Sequence, residues 1–185
     1  AGLSLNTTTG IISGTPTVAS SQTSYTVTGT NTSGTVTATV VITVNVAAPI
    51  SLSYTTPNVY TVGSTISALN PTSSGGTITQ YTIGPSLPAG LTINPTTGVI
   101  SGTPTAASSQ TSYTVTGTNS SGTVTATVVI TVNVQPPVSL SYTTPNVYTV
   151  GSTITSLNPT STGGPIAAYT IAPALPGGLS INPTT

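Results

Sequence analysis

The chain contains no Lys, Arg, Asp, Glu or His, and no Cys, Met, Trp or Phe, in 185 residues. Each absence excludes a class of chemistry. Without carboxylate, imidazole, thiol or amine side chains there is no general acid or base and no conventional nucleophile, so no enzyme is expected. The same gap removes the ligands that hold zinc or calcium, so no metal and no cofactor are expected. With no basic surface to neutralise phosphates, nucleic acid is excluded as a partner. Zero Cys leaves no disulfide framework, and zero Lys leaves no Lys–Asn isopeptide cross-link. No apolar run is long enough to span a bilayer, so membrane insertion is not expected.

What is present is small and hydroxylated: 45 Thr and 25 Ser make up 70 of the 185 positions, with 19 Gly and 16 Pro besides. So biased a composition raises the question of disorder. Disordered chains pair low hydrophobicity with high net charge, whereas here the mean hydropathy is positive and the charge is zero. Pro and Gly together reach about 19%, below the range of unstructured tracts. A folded chain is expected.

Internal repetition is the strongest signal. At an offset of 88 residues, Ala1–Ala48 matches Ala89–Pro136 at 40 of 48 positions, and Pro49–Thr97 matches Pro137–Thr185 at 38 of 49. Residues 49–136 read as one complete unit, residues 1–48 as the C-terminal half of another, and residues 137–185 as the N-terminal half of a third. The expected explanation is a window on a longer array. Completion of the two halves between chains is the second explanation, and the duplication of residues 1–9 by residues 177–185 counts against it. The joints Asn45-Val46-Ala47-Ala48-Pro49 and Asn133-Val134-Gln135-Pro136-Pro137 are short and contain proline, which fixes φ, so stiff joints and a rod of stacked units are expected.

Within a unit the apolar residues recur with period two, and no helical stripe occurs. Thr123–Val134 places Val124, Ala126, Val128, Ile130, Val132 and Val134 on one face and Thr on the other, with Val129 out of step. Tyr113, Val115 and Gly117 alternate likewise with Thr. Asn119-Ser120-Ser121-Gly122 joins the two runs as a turn, with Gly available for positive φ. The hairpin recurs at Tyr25–Val46. Ile50–Tyr54, Val59–Val62 and Thr77–Ile83 read as shorter strands, and Asn70–Gly76 as a loop. Asn94-Pro95 opens a tight turn whose left-handed position falls to Gly98. Seven short strands in 88 residues predict an all-β antiparallel sandwich.

The run LPAGLTINPTTGVISGTPT at Leu87–Thr105, followed by TSYTVTGTNSSGTVTATVVITVNV at Thr111–Val134, resembles the immunoglobulin-like repeat domain of large bacterial surface proteins. Near-identical units are similar to those of the long repetitive adhesins of gliding Gram-negative bacteria. The resemblance covers the whole chain and implies tandem immunoglobulin-like β-sandwiches, an extracellular or cell-surface location and a structural role in adhesion. Relatives that bridge calcium between domains use acidic residues, which are absent here. The family brings no catalytic residues.

Three binding readings accompany the structural one. Tyr54, Tyr60 and Tyr81 are the candidates for stacking on surface polysaccharide, although tyrosines more often serve as core or rim residues. Thr116-Gly117-Thr118 and Thr123–Thr127 have the spacing of an ice-binding lattice, yet Thr is also the simplest polar choice for an outward strand face. Asn6, Asn31 and Asn119 begin glycosylation sequons that a Ser/Thr-rich chain produces by chance. The partners expected are neighbouring repeats of the same chain and like filaments lying side by side. An uncharged sheet edge lacks the lysines that keep edges apart, so lateral bundling, or a fibre assembled by strand exchange, is the alternative to a single thread.

Only Tyr and the chain termini titrate, so no side chain changes its proton count between pH about 3 and 9. The melting temperature is therefore expected to be flat across that interval and insensitive to salt. Calorimetry from pH 3 to 9, with and without added salt, checks this, and an acid-labile transition would refute it.

Overall fold

The computed structural model describes residues 1–184, and Thr185, the last residue of the third expected segment, lies outside the described residues. Among the described residues there is no helix, and about 47% of the chain is strand. The architecture is all-β, as the period-two pattern predicts.

Residues 1–48 form β1 (Leu3–Leu5), β2 (Ile12–Gly14), β3 (Ser20–Asn31) and β4 (Gly34–Val44). Residues 49–136 form β5 (Pro49–Ser53), β6 (Asn58–Thr61), β7 (Thr72–Gly75), β8 (Gln80–Gly84), β9 (Leu91–Ile93), β10 (Ile100–Gly102), β11 (Ser108–Asn119) and β12 (Gly122–Asn133). Residues 137–184 form β13 (Pro137–Ser141) and β14 (Thr160–Gly163).

The middle segment has two layers. One is a four-stranded sheet in the order β6-β12-β11-β8. The other is made of the pairs β5-β7 and β9-β10, with Leu69 bridging to Ile100. Between them lie Leu52, Tyr54, Ile66, Ile78, Tyr81, Leu91 and Ile100, packed with Tyr113, Val115, Val128, Ile130 and Val132 from the long hairpin. Tyr113, Val115, Gly117 and Asn119 are buried, while Ser112, Thr114 and Ser120 are exposed, so the alternation read from the sequence is the alternation of the sheet. Each fully buried Val or Ile contributes about 1.5–3 kcal/mol. Gly117 lets Ile78 pack closely on β11: a Cβ there would lie 2.7 Å from Cδ1 of Ile78, which would have to move aside.

Three details differ from the sequence reading. Thr72–Gly75, expected as loop, is β7 and pairs antiparallel with β5. Its residues are all exposed Ser, Thr and Gly, so no hydrophobic alternation marks it; the apolar partner Leu52 on β5 supplies the burial. The sandwich is not wholly antiparallel, since β6 runs parallel to β12, with Asn58 opposite Ile130 and Thr61 opposite Asn133. A parallel neighbour needs a long crossover, and the whole unit between β6 and β12 provides it. Gly122 does not adopt positive φ. Instead Asn119 Oδ1 accepts hydrogen bonds from the backbone N–H of Ser121 (2.8 Å) and Gly122 (3.1 Å), which closes the turn without a left-handed residue.

The same residues fold differently where their partners are missing. Asn146-Val147-Tyr148-Thr149 repeats the sequence of β6 but has no regular structure, and Tyr169-Thr170-Ile171 repeats part of β8 with the same result. Both strands of the middle segment are formed against β11 or β12, for which residues 137–184 hold no counterpart. Strand formation here is a tertiary effect, consistent with the context dependence of β propensity.

Ile130 is completely buried at the centre of this core. Ile130→Ala is expected to cost about 2–5 kcal/mol and to lower the melting temperature of the middle segment by on the order of 10 °C or more, read by circular dichroism.

Candidate functional site

Tyr54, Tyr60 and Tyr81 follow β5, lie on β6 and lie on β8 respectively. The structure brings Tyr54 and Tyr81 together in the core, around the turn that follows β9. Asn94 Oδ1 accepts from the N–H of Thr96 (2.9 Å) and Thr97 (3.0 Å), and the Gly98 N–H donates to Asn94 O (2.9 Å). Gly98 has the left-handed φ of 73° that the sequence assigned to it. Its carbonyl accepts from Tyr54 Oη at 2.7 Å, and a Cβ there would lie 2.6 Å from the Tyr81 ring. The Tyr81 N–H donates to Pro95 O at 2.7 Å. Tyr54 and Tyr81 are thus buried and hold the turn against the sheet; neither presents a ring face to solvent on which a sugar stacks.

Tyr60 is half-buried. It borders an open groove of about 440 Å³ with Thr55, Asn58, Ser64, Thr65 and Leu69 among its walls. Its Oη is enclosed and has no hydrogen-bond partner among the described residues. Burial raises the phenol pKa of both Tyr54 and Tyr60, and for Tyr54 a nearby Tyr81 charge adds to the effect. The Thr rows at Thr123, Thr125 and Thr127 are exposed on the outer face of β12.

The most elaborate polar arrangement is at the joint before β5, which the sequence marked only as a stiff linker. Asn119 is the buried polar residue of the core region. Its Nδ2 donates to Ala47 O (2.8 Å) and to Thr77 O (3.1 Å), while its Oδ1 holds the β11–β12 turn. Ser121 Oγ donates to Val46 O at 2.7 Å, and the Gly76 N–H donates to Ala48 O at 2.9 Å. One side chain therefore ties the linker, the β11–β12 turn and the segment before β8 into one cluster. Sequence reasoning noted Asn119 as a turn residue and a sequon. The signal for more was its recurrence at Asn31, one repeat earlier.

The chain thus enters the middle segment beside the β11–β12 turn and leaves it from the far end of β12. Eleven residue steps of β12 separate the two points, or about 36 Å.

A family model described as Putative Ig domain matches residues 1–47 and again 45–135. Solved structures give distant likenesses. Extracellular domains 3–5 of Drosophila OTK are 20% identical, with a TM-score of 0.39, over 60% of this chain and 40% of that one. A chimeric titin Z1Z2 tandem is 22% identical, with a TM-score of 0.34, over 60% and 65%. A SusE-like surface-located polysaccharide-binding protein of Bacteroides thetaiotaomicron is 18% identical, with a TM-score of 0.42, over 76% and 24%. The chain therefore spans less than two thirds of the length of each of these. No curated protein sequence matches it.

Because the folded phenols hold their protons more tightly than the unfolded chain, where Tyr ionises near pH 10, stability is fully present below about pH 10 and is lost as pH rises beyond it. Tyr54→Phe, which strands the Gly98 carbonyl, is expected to cost about 1 kcal/mol at neutral pH and to make the alkaline loss shallower. Chemical denaturation between pH 7 and 11.5 measures both effects.

Proposed function

Because the chain belongs to the Putative Ig domain family, we propose that it is a stretch of tandem units acting as a spacer in an extracellular stalk or filament. Residues 49–136 are one complete unit, residues 1–48 the C-terminal half of a second and residues 137–185 the N-terminal half of a third. The observation that carries the reading is the path of the chain: it enters beside the β11–β12 turn, docked on Asn119, and leaves about 36 Å away. Units linked in this way add length. A cell-surface adhesin would use such a rod to hold a binding domain away from the cell. The composition agrees, since residues that cannot perform acid–base chemistry are free to build only strands, turns and joints.

Two features of the joint support stiffness. The linker carbonyls of Val46, Ala47 and Ala48 are all taken by the following unit, and Pro49 is buried at the start of β5. Bending at the joint requires these bonds to break.

Electron micrographs of the native material are expected to show threads with an axial repeat near 40 Å, the length of one 12-residue strand. The purified chain is expected to bind nothing on a glycan array. Saturable binding of a polysaccharide, with loss of that binding in Tyr60→Ala, would replace the spacer reading with a carbohydrate-binding one.

A further inference from the structure

The hydrogen bonds that hold the linker at the entry end of the middle segment run in one sense. Three successive linker carbonyls, those of Val46, Ala47 and Ala48, accept from Ser121 Oγ (2.7 Å), Asn119 Nδ2 (2.8 Å) and the Gly76 N–H (2.9 Å). In these bonds the unit supplies each donor and the linker each acceptor. The donors come from two places distant in sequence, the β11–β12 turn and the residue that follows β7. Shape restricts the contact further. A Cβ built on Gly76 would fall on the carbonyl oxygen of Ala47, and one on Gly122 would lie 3.1 Å from Cβ of Ala48. The linker backbone thus fills the space that a side chain at residue 76 would take.

A site that reads carbonyls is indifferent to linker side chains and to proline, which lacks the N–H but keeps the C=O. The second joint has that substitution built in. Gln135 and Pro136 stand where the first joint has Ala47 and Ala48. The Gly164 N–H still donates to Pro136 O at 2.9 Å, and a Cβ on Gly164 would fall on Gln135 O. A linker docked as an added strand would not accept the change, because a ladder needs N–H groups as well as carbonyls.

Asn119 divides its two ends between two tasks. Its Oδ1 closes the β11–β12 turn, as Asn31 Oδ1 closes the β3–β4 turn by accepting from the N–H of Ser33 (2.8 Å) and Gly34 (3.0 Å). Its Nδ2 takes no part in the turn and goes instead to Ala47 O and Thr77 O. The turn needs the acceptor; the joint uses the donor.

We propose that the entry end of the unit is a socket for an extended, acceptor-only segment, the linker of the preceding unit, and that it fixes the angle between successive units whatever side chains the linker carries. Gly76 admits the linker backbone, and Asn119 and Ser121 are the positioning residues that hold it to the β11–β12 turn. Units joined by linkers of different sequence then meet at one geometry. The inference rests on the tandem-unit reading of the joint, not on a role in adhesion.

The chain has no Cys, so Thr37→Cys with Thr125→Cys, exposed positions one repeat apart, carries a spin label on each side of the joint. Pulsed electron paramagnetic resonance of the 185-residue double variant is expected to give one narrow distance distribution. Adding Asn119→Asp keeps the acceptor of the turn and removes the donor of the joint, and is expected to abolish the narrow peak. Asn31→Asp, the same change in the β3–β4 turn, is expected to preserve it. Ala47→Gln with Ala48→Pro, which gives the first joint the sequence of the second, is expected to preserve it too. Gly76→Ala blocks the socket without touching the turn and is expected to abolish the peak, which decides the matter if circular dichroism shows that Asn119→Asp unfolds the middle segment. A broad distribution in the parent, a peak that survives Gly76→Ala or a folded Asn119→Asp variant, or a peak lost on the Gln-Pro exchange would each overturn the proposal. A narrow peak far short of one unit length would overturn the spacer reading and leave the socket standing.

Discussion

The fold depends on one contact between distant parts of the sequence: the inward row of the β11–β12 hairpin must be covered by apolar residues that precede it by some thirty to eighty positions. Val115, Val128 and Ile130 are completely enclosed in one cluster with Leu52, Ile66, Ile78 and Tyr81. Everything else in the unit follows from this. β6 and β8 are strands because the hairpin offers them ladders, and the identical or near-identical residues of the last segment, without that hairpin, are not. The hairpin itself is local and forms in both copies with the same register. The covering layer is the non-local, cooperative part.

This division explains how far the sequence could be read. The long hairpin was legible because period-two alternation over twelve residues has no competing interpretation, and the turn at Asn94–Gly98 because Asn-Pro and Gly occupy the positions their backbone geometry demands. β7 was not legible: Thr72–Gly75 has no apolar residue, and its strand character comes from β5 alone. β6 was read as a strand from Val59 and Tyr60, but its parallel pairing was hidden, since four residues carry no information about which neighbour they will meet.

The candidate site was less legible than the fold. A tyrosine in a sequence announces a ring and a hydroxyl but not which way they face. Tyr54 and Tyr81 face inward because Gly98, lacking a side chain, lets both pack against its backbone. The importance of Asn119 came from its four hydrogen bonds to three separate segments, and contacts with residues as far away as Ala47 leave no local trace. With charges absent, such amide and hydroxyl contacts must supply the specificity that ion pairs supply elsewhere. They do so at short range and without steering.

The parallel alignment of β6 with β12 has a mechanical meaning. Tension along a rod pulls the beginning of a unit one way and its end the other. β6, near the beginning, and β12, at the end, would then be drawn past one another along their own lengths. Their hydrogen bonds lie across the direction of pull, so the ladder Asn58–Ile130 to Thr61–Asn133 is sheared as a whole and its bonds must fail together. A hairpin pulled at its open end fails one bond at a time. The β6–β12 ladder is thus loaded in the resistant direction, so a unit pulled between its two ends would bear force before that ladder came apart.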